Sequence, residues 1–94
     1  MAVHLVVTFI VPEGKQEEFK AVAKELQAKS REEKGCMAYT FTKVSESPEE
    51  FAVIELWADQ PSLDAHNESA HFKELVPKLQ GVSTIKSFVK SHEI

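Results

Sequence analysis

The chain has 94 residues, room for one domain spanning residues 1–94, with 43% hydrophobic and 28% charged residues, which excludes a disordered or low-complexity polymer. Fifteen acidic against 11 basic side chains give a net charge of −4 with no basic cluster, so a nucleic-acid partner is not expected. The single cysteine, Cys36, rules out an intrachain disulfide and suits a reducing, cytoplasmic setting.

Val3 to Val11 is an almost unbroken apolar, β-branched run ended by Pro12, which predicts a buried strand apolar on both faces. The run is too short to span a membrane and has no Lys or Arg before it, so no membrane partner is expected. A helix follows up to Lys34, with Phe19, Val22, Ala23 and Leu26 at helical spacing and Glu13, Glu17 and Glu18 near its positive end. Gly35 is expected to close it in the left-handed conformation.

Alternation over Cys36 to Val44 predicts a second strand, placing Met37, Tyr39 and Phe41 on one face. Ser45 to Glu50 reads as a hairpin turn before a third strand, Phe51 to Trp57. There Phe51, Val53, Glu55 and Trp57 share one face, and Ala52, Ile54 and Leu56 share the other. Asp59 can cap a helix with Pro61 in its first turn and Leu63 and His66 on one side. A break near Asn67 precedes a second start at Ser69, with an apolar stripe of Phe72, Leu75, Val76 and Leu79 that Pro77 interrupts. Gly81 ends this helix, and Val82 to Lys90 makes a fourth, more polar strand.

The order βαββαβ predicts a ferredoxin-like α+β fold, an antiparallel sheet with its helices on one face. Helices on one face leave Ala52, Ile54 and Leu56 uncovered on the other. A second copy of the same sheet is the simplest cover, so a homodimer is expected.

Glu55 is the chemically informative residue, a carboxylate in mid-strand between Ile54 and Leu56. Buried there, it needs a partner or a raised pKa, which would suit a base or a proton-binding group; reaching solvent at the strand end is the plainer alternative. His66 points inward with Leu63, as a packed core histidine or as a catalytic group. His71 can approach the same cavity only if the chain bends between Asn67 and Ser69. Tyr39, Phe51, Val53, Trp57 and Phe72 are the candidate walls of a substrate pocket, with plain core packing as the competing reading. One carboxylate and two histidines at this spacing match no common zinc pattern. No phosphate loop, paired-cysteine motif or nucleophile elbow is present, so neither metal nor nucleotide dependence is expected.

Several of these residues form a recognisable constellation. Glu33-Lys34-Gly35-Cys36, Glu55-Leu56-Trp57, Asp59 with Leu63 and His66, and Ala70-His71-Phe72 together resemble the antibiotic biosynthesis monooxygenase domain family, and within it the small quinol-monooxygenase-like members. The resemblance implies a dimeric α+β barrel and oxidation of a small aromatic quinol or phenol by molecular oxygen without metal, haem or flavin. Glu55 or His66 would be the base and His71 or Tyr39 the donor. Haem-degrading relatives carry asparagine, tryptophan and histidine where this chain has Thr8, His66 and Val76, so that activity is not expected. Two alternatives remain open: isomerisation of a phosphorylated signal molecule, with Lys43, Lys73 or Lys86 as phosphate clamp, and ligand binding without turnover by a stress-linked dimer.

Overall fold

The computed structural model describes residues 1–94. Its strands are β1 (Val3–Ile10), β2 (Cys36–Lys43), β3 (Glu50–Trp57) and β4 (Thr84–His92), and its helices are α1 (Gln16–Arg31), α2 (Gln60–Asn67) and α3 (Ala70–Gln80). A single 3-10 turn, Glu13–Lys15, leads into α1. The sheet order is β2-β3-β1-β4 and every neighbouring pair is antiparallel, the ferredoxin-like arrangement the sequence predicts.

The two-residue period of β1 and β3 places Val3, Leu5, Val7 and Phe9 beside Phe51, Val53, Glu55 and Trp57, all buried beneath the helices. From α1, Phe19 packs among Phe9, Phe41 and Phe51, with ring centres 5.5, 5.9 and 5.1 Å away. The opposite sheet face carries a row in which Val6 is paired with both Ile54 and Val89, and all three are exposed. No helix is long and apolar enough to cross a membrane.

Five local expectations change. Gly35 is not left-handed, since no glycine has positive φ. Its reason is space: a Cβ there would lie 2.0 Å from Ser62 Oγ, so the turn after α1 can lie against α2 only without a side chain. Helix α1 ends at Arg31, earlier than Lys34. Met37 is exposed rather than inward, because a register shift between Cys36 and Ala38 breaks the alternation at the start of β2. Pro77 does not cut α3 short, and β4 begins at Thr84 rather than Val82.

Candidate active site

Register builds the floor of the site. Glu55 stands directly between Tyr39 on β2 and Leu5 on β1, with all three side chains on the helix-covered face. Trp57, two residues along on the same face, donates its indole N–H to Glu55 Oε1 at 2.9 Å. Glu55 is only 6% exposed. Burial pushes its pKa up to about 7, opposed by the Trp57 hydrogen bond and assisted by the charge of Glu33. Burial, followed by the nearby Glu55 charge, also raises the Tyr39 hydroxyl, which therefore stays protonated at neutral pH.

Capping builds the roof. Asp59 accepts from Ser62 N–H at 2.9 Å and from the Ser62 hydroxyl at 2.6 Å, fixing the start of α2. Leu63 and His66 then fall one turn apart, both buried. The Ser69 hydroxyl accepts from Phe72 N–H at 3.2 Å and donates to the His66 carbonyl at 2.7 Å, tying the corner between α2 and α3. That corner brings the His66 and His71 rings to 5.9 Å.

Glu33, in the turn after α1, joins them. Its Oε2 lies 2.6 Å from His66 Nδ1 and 2.8 Å from His71 Nε2. A carboxylate can only accept, so this contact places the His66 hydrogen on Nδ1; Nε2 has no protein hydrogen-bond partner, and His66 lines the cavity between sheet and helices. The His66 ring is 2% exposed and lies against Trp57, with ring centres 4.5 Å apart, and edge-on to Phe72 at 5.2 Å. Burial lowers its pKa more than Glu33 raises it, so the imidazole is neutral at neutral pH.

Sheet and helices enclose a cavity of about 340 Å³, lined by 19 residues of which 13 are hydrophobic. That is the lower end of the usual range for small-molecule pockets, about 300–1,000 Å³. Of the residues singled out from sequence, Glu55, His66, Tyr39, Val53 and Phe72 line it. Trp57, Phe51 and His71 do not. Trp57 stands behind Glu55 and His66, Phe51 is in the aromatic core beside Phe19, and His71 meets the site through Glu33.

Sequence reasoning missed Glu33 as a site residue, although it lies in the motif that ends the first helix. No periodicity connects it to two histidines more than thirty positions away. It also missed Ile85, Phe88 and Lys90, which give β4 a place at the cavity mouth. Lys43, Lys73 and Lys86 are absent from the cavity wall: Lys43 donates to the Ser47 carbonyl, Lys73 pairs with Glu68, and Lys86 pairs with Glu50.

A neutral imidazole oriented by a carboxylate, a second carboxyl that titrates near neutrality, and apolar walls equip this site for acid–base chemistry. The fold and cavity thus define a ferredoxin-like α+β protein with an interior pocket between sheet and helices. Residues 2–78 match the antibiotic biosynthesis monooxygenase family, and the chain belongs to it.

Among its relatives, a Bacillus subtilis protein provisionally named as a monooxygenase, YcnE, is 42% identical over 65 residues, 68% of this chain and 67% of that protein. An uncharacterised Synechocystis protein is 30% identical over 84 residues, 89% of this chain but only 57% of its own length, so the chain spans little more than half of that relative. A crystal structure from Bacteroides thetaiotaomicron, a conserved protein of unknown function suggested to be an oxidoreductase, superposes with a TM-score of 0.91 at 32% identity, covering 96% of this chain and 95% of that one.

Proposed function

We propose that the protein is a cofactor-independent monooxygenase oxidising a small aromatic quinol or phenol, and that it works as a homodimer joined through the uncovered sheet face. The observation that carries the reading is His66. Its outer nitrogen is held by Glu33 and its other nitrogen is free beside an apolar cavity that also contains Glu55.

In this reading His66 Nε2 takes a phenolic proton, which raises the reducing power of the substrate. The phenolate gives one electron to oxygen, and the resulting radical and superoxide combine at a ring carbon as a hydroperoxide. Loss of water leaves one oxygen atom in the product, a hydroxyquinone from a quinol or a quinone from a phenol, and the other in water, the substrate having supplied all four electrons. Protonated Tyr39 and Glu55 would hold the substrate oxygen and return a proton to the leaving one. Apolar walls would keep bulk water from the radical pair.

The test is oxygen uptake by the purified, chelator-treated chain with a panel of hydroquinones and dihydroxyarenes. Uptake above autoxidation that falls at least about 100-fold in His66→Ala is the expected result. Uptake equal in protein and buffer, together with stoichiometric binding of the same compounds, would favour ligand binding without turnover.

A further inference from the structure

We propose that Glu33, His66 and His71 form a binding site for one divalent transition-metal ion of the zinc class, and that filling it converts His66 from proton acceptor to proton donor toward the cavity. The second half rests on the role of His66 proposed above; the first half does not.

The three side chains come from three segments, the turn after α1, α2 and α3. Their donor atoms all lie within 4.8 Å of one another. Two imidazole nitrogens already converge on one carboxylate oxygen, at 2.6 and 2.8 Å. A tetrahedral ion with bonds of about 2.0–2.2 Å to nitrogen and oxygen needs its ligand atoms about 3.3–3.6 Å apart, so each carboxylate–imidazole contact must open by about 0.5–1 Å, within reach of side-chain rotation.

Two imidazoles and a carboxylate are a donor set of the right chemical type. They leave a fourth position for water or a small ligand. Access is also suitable. His66 is buried, whereas Glu33 and His71 are each 17% exposed. Glu33 further lines an outer groove with Gly35, Asp59 and Ser62, separate from the apolar cavity. Asp59 in that groove adds negative charge, and Lys34 in the same groove opposes it.

The consequence for His66 follows from imidazole chemistry. A metal takes the lone pair of Nδ1, so the ring hydrogen that Nδ1 now donates to Glu33 must move to Nε2. Nε2 is the nitrogen left free beside the cavity. The loaded protein would then present an N–H where the free protein presents a base. The ion would suppress the proposed oxidation rather than support it.

The experiment is calorimetric titration of the chelator-treated full chain with zinc chloride near neutral pH, alongside long-range proton–nitrogen spectra of the histidine rings. One ion per chain is expected, with affinity at least tenfold weaker in Glu33→Gln and in His71→Ala and unchanged in His92→Ala and Cys36→Ser. The His66 spectrum should move its ring hydrogen from Nδ1 to Nε2 on loading. Circular dichroism of each variant would establish that the fold persists. No stoichiometric uptake, uptake that survives both His71→Ala and Glu33→Gln, uptake lost in His92→Ala, or an unchanged His66 tautomer would overturn the proposal. Calorimetry needs no substrate, so failure of oxygen uptake would count against the oxidation alone.

Discussion

Glu55 combines near-complete burial with a single protein hydrogen bond, from Trp57. Its folded pKa near 7 lies above the ordinary 4.5, so between those pH values the folded chain holds a proton that the unfolded chain releases. Stability from this group is complete below about pH 4.5 and declines as pH rises toward 7, by about 3 kcal/mol in all. Glu55→Gln keeps a carbonyl for the Trp57 indole and removes the ionisation. Urea unfolding at pH 5 and pH 8 should therefore show a smaller difference between the two pH values in the variant than in the parent; equal differences would contradict the assignment. At Glu33 the expected effect is on chemistry. Glu33→Gln retains one acceptor but weakens the hold on the His66 tautomer, and oxygen uptake should fall about 10- to 100-fold, less than in His66→Ala. The inward facing of Tyr39, Val53, Glu55 and His66 was legible because period and amphipathicity report which way a side chain points. Glu33 was not, because a turn residue has no period.

Among the elements, the contact between the α1–β2 turn and α2 is the tightest constraint on the site. Glu33 reaches both histidines from the same turn in which Gly35, two residues later, lets Ser62 lie against the backbone. Gly35→Ala should cost about 1–3 kcal/mol in chemical denaturation, and pairing it with Ser62→Gly should cost less than the sum of the two single changes. Additive costs would mean that the close approach is unimportant. The outer edge of β2 is protected by α1: Arg31 donates to the Tyr39 carbonyl at 2.8 Å and Gln27 accepts from Phe41 N–H at 2.8 Å. Both edge groups belong to residues of the aromatic wall, so α1 steadies the pocket as well as closing the sheet edge. The caps of α2 and α3 were readable at Asp59 and Ser69, whose side chains and spacing are those of N-caps. The start of β2 was not, because the register shift at Met37 depends on how β2 meets β3.

For the molecule as a whole, the uncovered sheet face is the main unbalanced feature. Val6, Ile54 and Val89 form an exposed apolar row across three strands. Its burial against a second copy is the basis of the proposed homodimer. Ile54→Glu should shift sedimentation from dimer to monomer or unfold the chain; a dimer unchanged by that substitution would place the interface elsewhere. Element order, the α+β class, the inward face of β3 and the family were determined by the sequence alone, because strand alternation, helix periodicity, caps and the family motif are local signals. Tertiary structure alone decided that Glu33 joins His66 to His71, that Gly35 is needed for space rather than for its φ, and that β4 helps form the cavity mouth. Each of these is a contact between segments distant in the chain, and such contacts follow from packing, which no local pattern encodes.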